Sequence, residues 1–504
     1  MTIQTPDWLR DAVFYQIFPD RFARSERIQR AGMKLEPWES PPNPYGFKGG
    51  DLYGVIERLD YLKDLGVNAI YFNPITSSAA NHRYHTYDYF QIDPLLGGNQ
   101  AFRELLDAAH EAGIRIVPDG VFNHASRGFW QFHHVLENGA GSPYVDWFHF
   151  DPDRLKRQKN WGAYPGEQEQ RQLNCGDGSL NAIGYTAWWN LPALPKLNTN
   201  TPEVREFIYK AAVHWLEFGA DGWRLDVPAE INDDAFWQEF RRRVKGVNPE
   251  AYIVGEIWHE SQRWLQGDQF DAVMNYLVTA ALMGWLIGDK IPEYAYRIGE
   301  LHKVLRPMTA AEFGDRIEYL LNLYAPEINY AQLNLLDSHD TPRFLTTAGG
   351  DESALRLAYL FLFTYIGAPC IYYGDEIGMD GGPDPECRKS FPWEESNWNQ
   401  GLRGYMKELV QLRNSQISLR RGTYKRLYSD QDIIAYIRQH EQETLLIVIN
   451  AGPQDRQLDI EKMKAGLSAG EVKILFGSGE VAVLDGMIKG LHLGPRRGMV
   501  LKIR

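Results

Sequence analysis

Thr201-Pro-Glu-Val-Arg-Glu-Phe-Ile-Tyr-Lys-Ala-Ala-Val-His-Trp-Leu-Glu-Phe-Gly-Ala-Asp-Gly-Trp-Arg-Leu-Asp226 reads as one helix handing over to one strand. Thr201 is an N-cap residue, Pro202 suits the first turn and Gly219 ends the helix. Val204, Phe207, Ile208, Ala211, Trp215 and Phe218 recur at helical spacing and make one apolar face. The strand that follows, Gly222-Trp-Arg-Leu-Asp226, finishes on a carboxylate. The same unit repeats outward in both directions for about 420 residues. The sequence predicts eight strands: Val13–Phe18, Ala69–Phe72, Ile114–Asp119, Gly222–Asp226, Tyr252–Glu256, Ala272–Asn275, Gln332–Asp337 and Pro369–Tyr373. Eight strand–helix units suit a closed α/β (β/α)8 TIM barrel better than an open sheet.

Two stretches break the alternation. Residues 121–197 contain no long periodic helix and are rich in Gly, Asn, Gln and Trp, which predicts a subdomain inserted after strand three. After about residue 420 short strand-like runs take over: Ile433–Ile437, Thr444–Asn450, Glu471–Leu475 and Met499–Ile503. The expected division is a barrel over 1–120 and 198–420, an insert over 121–197 and a C-terminal antiparallel β-domain over 421–504. The apolar run Leu357–Tyr373 breaks at Gly367-Ala-Pro369 and is too short for a membrane span, so it reads as a buried helix followed by a buried strand.

Composition narrows the function. The 504 residues carry 53 Lys+Arg against 66 Asp+Glu, a formal net charge of −13, which argues against nucleic acid or an anionic membrane as partner. Aromatics reach 13%, and such rings suit sugar faces as well as cores. Cys175, Cys370 and Cys387 are few and widely spaced, with no CxxC pair, so neither a disulfide framework nor a structural zinc site is expected. The N-terminal residues lack a basic region followed by an apolar one, so no signal peptide is expected and the location reads as cytoplasmic.

Active residues of a parallel barrel sit at the C-terminal ends of its strands. Strand three ends at Asp119, followed by Asn123 and His124; strand four ends at Asp226, strand five at Glu256, and strand seven runs into Asp337-Ser-His-Asp340. Asp226, Glu256 and Asp340 therefore bring carboxylates to one rim. Glycosidic bond cleavage needs two carboxylates in different protonation states, one to attack or activate water and one to protonate the leaving oxygen. Arg224 shares a strand direction with Asp226 and is expected to keep it ionised. Glu256 has apolar sequence neighbours in Ile253, Val254, Ile257 and Trp258, which suits a raised pKa and an acid role. The plain alternative is an ion-pair network filling the barrel end. Metal-dependent hydrolysis is weaker: no His-x-His follows strand one, and His82 and His85 sit in a loop. Acyl transfer is weaker still, for want of a Gly-x-Ser-x-Gly elbow.

On these residues the chain resembles the α-amylase family of retaining glycoside hydrolases (glycoside hydrolase family 13). The matching stretches are Asp119-Gly-Val-Phe-Asn-His124, Gly222-Trp-Arg-Leu-Asp-Val227, Gly255-Glu256 and Asp337-Ser-His-Asp340, supported by Gly50-Asp-Leu, Leu65-Gly-Val-Asn-Ala-Ile70 and Ile371-Tyr-Tyr-Gly-Asp-Glu-Ile377. The resemblance implies Asp226 as nucleophile, Glu256 as general acid/base and Asp340 as the residue that grips sugar hydroxyls. It places Arg224, His124 and His339 around the same sugar, with Tyr84 stacked on it, and makes Asp119 structural, with Asn123 beside it. Leu194-Pro-Lys-Leu-Asn198, Val254-Gly-Glu-Ile-Trp-His259, Met274-Asn-Tyr276 and Asp384-Pro-Glu-Cys-Arg388 resemble the neopullulanase, cyclomaltodextrinase and maltogenic amylase branch. There Asp384 and Arg388 would serve a donor-side subsite; their plain alternative is a surface ion pair.

The departures are as informative as the matches. The branch usually carries an N-terminal β-domain, whereas here Asp7-Trp-Leu-Arg-Asp-Ala-Val-Phe-Tyr15 opens the barrel, so a monomer or a different dimer is expected. Val227-Pro-Ala-Glu230 replaces the branch's usual Val-Ala-Asn-Glu, and Pro228 fixes φ there, which could shift linkage preference towards α-1,6 bonds. The calcium site near strand one reads as lost, because Phe22-Ala-Arg-Ser-Glu26 offers few oxygen ligands and only Gly49, Gly50 and Asp51 remain, so no cofactor or metal is expected. Trp161, Trp188 and Trp189 stand equally for sugar platforms or for the insert's own core. The expected activity is cleavage of α-1,4 bonds, and α-1,6 bonds as an open question, in maltooligosaccharides, cyclodextrins, pullulan or short branched glucans. Transglycosylation is plausible. Mainly α-1,6 debranching is the alternative within enzymes. A non-catalytic binding protein is the alternative outside them, and the three intact carboxylates argue against it.

Overall fold

Strands that are apolar along their whole length need cover on both faces, and a barrel ringed by helices supplies it. The computed structural model describes residues 3–157, 162–174, 178–459, 472–484 and 487–503. Its barrel strands are β1 (Phe14–Ile17), β2 (Ala69–Phe72), β3 (Arg115–Val117, resumed as Asp119–Gly120 after Pro118), β4 (Gly222–Leu225), β5 (Tyr252–Gly255), β6 (Ala272–Val273), β7 (Leu333–Asn334) and β8 (Ala368–Tyr372). Parallel pairing runs β8–β1–β2–β3 and β3–β4–β5–β6. A single Met274↔Leu333 bridge and the β7–β8 ladder close the ring. β6 and β7 are two residues each, shorter than Ala272–Asn275 and Gln332–Asp337 as read from sequence, so Asp337 and Asp340 lie in the turn beyond β7.

The helix read from Thr201 spans Pro202–Phe218 and stops at Gly219, whose φ of 119° suits glycine. Thr201 occupies the N-cap position without capping by its side chain; its hydroxyl donates to the Asp146 carbonyl at 2.5 Å. Leu357–Tyr373 divides into a buried helix, Glu352–Thr364, and β8. Among the described residues of the insert the longest helix is Trp130–Asn138, and Phe132, Phe148, Phe150 and Tyr185 form a small aromatic core, mostly edge-on with Phe132 stacked on Phe150. Trp161 and Cys175 lie outside the described residues.

The C-terminal region holds eight described strands rather than the four read from sequence. A five-stranded antiparallel sheet comprises Thr423–Ser429, Ile433–His440, Glu443–Asn450, Arg497–Lys502 and Lys473–Gly477; a three-stranded sheet comprises Arg456–Asp459, Met487–Leu493 and Glu480–Leu484. Glu471 lies outside the described residues. The five-stranded sheet packs on the barrel through Phe361–Tyr436 and through Arg438, which donates to the Thr364 carbonyl at 2.6 Å. Among the described residues no helix is long and apolar enough to cross a membrane.

Candidate active site

Register places the first cluster. Asp119 on β3 pairs with Arg224 on β4, and Arg224 and Asp226 are two residues apart, so both side chains leave β4 on the same side. Arg224 is completely buried. Its Nη1 donates to Asp119 Oδ2 at 2.7 Å and Oδ1 at 2.9 Å, and to Asp226 Oδ1 at 3.2 Å. Its Nη2 lies 2.9 Å from Glu256 Oε2. One guanidinium thus meets three carboxylates from three neighbouring strands. Asp226 Oδ2 is buried with no hydrogen-bond partner among the described residues.

Glu256 is surrounded by donors, which corrects the apolar setting read from its sequence neighbours. The Val227 N–H donates to Oε2 at 3.2 Å and the Trp258 indole N–H to Oε1 at 3.1 Å, beside Arg224. Val227 adopts φ 36°, ψ 50°, a left-handed conformation that strains a β-branched residue. Pro228–Glu230 follows as one short 3-10 turn, pinned by Lys196 Nζ at 3.2 Å from Glu230 Oε2.

The second cluster comes from the opposite arc of the ring. Arg388 Nη2 lies 3.3 Å from Asp340 Oδ1, and Nη1 lies 3.1 Å from Asp384 Oδ1, while Nε donates to the His339 carbonyl at 2.8 Å. Asp340 keeps 32% of its side chain exposed and Asp384 49%, so this arc forms the open edge. Tyr84 ties the clusters together: its hydroxyl donates to Asp119 Oδ2 at 2.8 Å, and its ring stacks on His339 at 5.4 Å. Two residues that the sequence reading missed hold this arrangement. Gln16 Nε2 donates to Asn73 Oδ1 at 3.1 Å and to His339 Nδ1 at 3.0 Å. Asn73 Nδ2 donates to the Tyr84 hydroxyl at 3.0 Å. With Nδ1 accepting, the His339 proton sits on Nε2 and is donated to the Tyr84 hydroxyl at 2.6 Å, with Asp340 Oδ2 also near at 3.1 Å. A polar side chain within an otherwise apolar barrel strand was the signal for Gln16, and a polar residue just past a strand end was the signal for Asn73.

Charge crowding sets the protonation. Burial pushes Asp226 well above the usual carboxylate range; Arg224 opposes that, and Glu256, Asp119 and Asp340 add to it. The expectation that Arg224 alone keeps Asp226 ionised is therefore corrected, because that cation is shared three ways. Burial raises Asp119 to about 6 against the pull of Arg224. Burial, then the Glu256 charge, raises Asp340 to about 7 against the pull of Arg388 and Arg224. Burial lowers His124 to about 3 and takes His339 well below its ordinary value, so both imidazoles are neutral near pH 7.

On the insert side, Asn123 Nδ2 lies 3.3 Å from His124 Nδ1, and the His124 ring carries Trp188 stacked at 5.0 Å. Trp188 is half-buried and Trp189 exposed, so neither is core of the insert.

The implied calcium site does not fit. Arg30 occupies the loop after β1, with Nη1 donating to the Ser25 carbonyl at 2.6 Å and Nη2 to the Gly49 carbonyl at 2.9 Å and to Asp51. Lys48 Nζ takes the Pro37 and Ser40 carbonyls at 2.7 Å each. Ser25 N, Ser25 Oγ and Gly54 N complete Asp51. The oxygens a calcium ion would need are occupied by internal cations and donors.

Residues 16–440 match the α-amylase catalytic-domain family, and 424–499 match the maltogenic amylase C-terminal domain. A cyclomaltodextrinase from Bacillus sp is 45% identical over 451 residues, covering 89% of this chain and 74% of that protein. Neopullulanase 2 from Thermoactinomyces vulgaris is 41% identical over 503 residues, covering 99% of this chain and 78% of that protein. The solved structure of a Nostoc punctiforme debranching enzyme in its native form is similar with a TM-score of 0.86 and 46% identity, over 99% of this chain and all of that one.

Proposed function

The chain belongs to the α-amylase family, and from that premise we propose that it hydrolyses short α-glucans with retention, Asp226 acting as nucleophile and Glu256 as acid/base. The observation that carries this is the sharing of Arg224 by Asp226 and Glu256, with Asp226 Oδ2 left unpartnered. Carboxyl groups bridged by one guanidinium suit the close pair of a retaining enzyme, about 5–5.5 Å apart, better than the wider gap that admits a water. In the productive form the crowded pair carries its proton on Glu256, and ionised Asp226 attacks the anomeric carbon through Oδ2. The C–O bond to the leaving sugar breaks, and Glu256 gives its proton to that oxygen. Arg224 then faces a charged Glu256 carboxylate and a neutral ester at Asp226, so its positive charge stabilises the Glu256 anion. Water, deprotonated by Glu256, cleaves the glycosyl ester and restores both residues. A sugar hydroxyl in place of that water gives transglycosylation.

Asp340 faces hydroxyls of the bound sugar in this reading with His339 beside it, Tyr84 offers the sugar a ring face, and Arg224 and His124 line its base. Asp384 and Arg388 serve the neighbouring donor-side unit, and Asp119 and Asn123 hold the frame. The division into barrel 1–120 and 198–420, insert 121–197 and β-domain 421–504 belongs to the same reading. So does a cytoplasmic location, which the buried free thiols of Cys370 and Cys387 support. The acidic net charge of −13 supports a neutral sugar rather than a nucleic acid as partner.

A second reading, mainly α-1,6 cleavage, is favoured by the Val227–Pro228 turn beside Glu256 and by the end-to-end likeness to a debranching enzyme. Incubation with maltoheptaose, β-cyclodextrin, pullulan and a singly branched maltooligosaccharide separates the two. Fast cleavage of the linear chain and ring supports α-1,4 action, and preferential release of the branch supports debranching. Proton NMR of the first product must show the α-anomer; an initial β-anomer would exclude retention.

A further inference from the structure

Trp189 is the largest side chain type in the sequence, yet it is 77% exposed. It also sits at φ 54°, ψ 25°, and Asn190 follows at φ 57°. Two consecutive non-glycine residues in the left-handed region are strained, and such strain persists only where surrounding contacts hold it. Here they do. Asn190 Oδ1 accepts from the Ser179 N–H at 3.0 Å, Ser179 Oγ accepts from the Ala187 N–H at 2.8 Å, and Trp188 N–H donates to the Leu194 carbonyl at 2.9 Å. Core packing cannot be the return on this strain, because the ring points into water.

The ring does have one ordered relation. Trp189 stacks on Trp188 at 5.1 Å and 20°, and Trp188 stacks on His124 at 5.0 Å and 12°. Three near-parallel rings thus lead from the end of β3 out to solvent, leaving the outer indole surface flat and free. In the closed ring β3, which the insert follows, lies across the mouth from β7, whose following turn carries Asp340. A flat, rigid, amphipathic indole matches the apolar C–H face of a pyranose ring.

We propose that Trp189, backed by Trp188, is an outer glucosyl-binding platform on the insert, engaging a sugar unit of the α-glucan beyond those held at the carboxylates. The proposal rests on the α-glucan reading above. It makes the insert a gauge of chain length: substrates long enough to reach the ladder gain from it, and shorter ones gain less.

The test compares substrates of two lengths. Trp189→Ala should raise KM for maltoheptaose about threefold to tenfold more than KM for maltotriose, with Trp189→Phe recovering most of the difference. Calorimetric binding of maltoheptaose to the Glu256→Gln protein should weaken by the same factor when Trp189→Ala is added. Thermal unfolding should not move, since the ring is in solvent. Equal changes for the two substrates, or none, would overturn the platform while leaving α-glucan hydrolysis standing. If the unaltered protein neither cleaves nor binds any α-glucan, the functional reading fails and the platform fails with it.

Discussion

Arg224 and Arg30 stand at the same end of the barrel, one on β4 and one in the loop after β1, and both are ringed by oxygen. Their surroundings differ in charge. Arg224 faces three carboxylates, and one oxygen of Asp226 has no hydrogen-bond partner among the described residues. Arg30 faces one carboxylate, Asp51, and otherwise backbone carbonyls, with every Asp51 oxygen engaged. Burial is therefore no guide to function here. An excess of negative charge with an unspent acceptor marks chemistry, whereas a matched cation marks scaffold. The first arrangement costs stability and gains reactivity; the second does the reverse.

The strongest way to break this contrast is to neutralise the carboxylates. Glu256→Gln and Asp226→Asn should each lower kcat by about 10⁴-fold or more, the scale seen when a member of a catalytic set is removed. Their melting temperatures should hold or rise, because each substitution takes a negative charge out of a crowded, buried cluster. A variant that lost both activity and stability would show the cluster to be a structural ion-pair network after all.

The two arginines separate next. Arg224→Ala leaves three buried carboxylates without their cation, and chemical denaturation should show a loss of about 3–5 kcal/mol. Arg30→Gln removes charge-assisted hydrogen bonds from a balanced site, at about 1.5–3 kcal/mol, and kcat should stay within about twofold because no reacting group changes. A chelator should leave the melting temperature of the unaltered protein where it is. A drop on chelation would mean that a metal ion displaces Arg30, and the matched half of the contrast would fall.

Much of this was legible in the chain itself. Eight largely apolar runs and their spacing give the barrel, since burial on both faces leaves few polar residues within a run. Asp226, Glu256 and Asp340 follow from reading strand ends. The reading failed where long-range pairing decides. The two-residue strands β6 and β7 hold their places by one bridge and a short ladder, which no local pattern encodes. The C-terminal strands Arg456–Asp459, Glu480–Leu484 and Met487–Leu493 are short and mixed in polarity, so alternation does not mark them. The setting of Glu256 was misread because its sequence neighbours are apolar while its spatial neighbours, Arg224, the Val227 N–H and the Trp258 indole, are donors. Gln16 and Asn73 were passed over for the opposite reason: Gln16 is a lone polar residue within an apolar strand and Asn73 one just past a strand end, and only the folded ring brings both to His339 and Tyr84.

The smallest effect expected is also the most specific to the mouth. Asp119 and Asp340 have folded pKa values raised to about 6 and about 7, above the unfolded aspartate value of about 3.9. The folded state therefore holds protons that the unfolded state has already released. The stability these groups contribute is complete below the unfolded pKa and is lost as pH rises through the folded ones. Between about pH 4 and pH 7 the mouth should make the protein progressively less stable as Asp119 and Asp340 ionise. Asp340→Asn removes one of the three raised groups at the mouth, Asp119, Asp226 and Asp340, and should flatten the melting-temperature profile in that window, most visibly near its upper end. Arg30→Gln should lower the whole profile without changing that slope, because its partner Asp51 lies in the balanced cluster. If Asp340→Asn kept the full slope while Arg30→Gln removed it, the crowded charge would lie in the loop after β1 rather than at the mouth, and the contrast between the two arginines would be reversed.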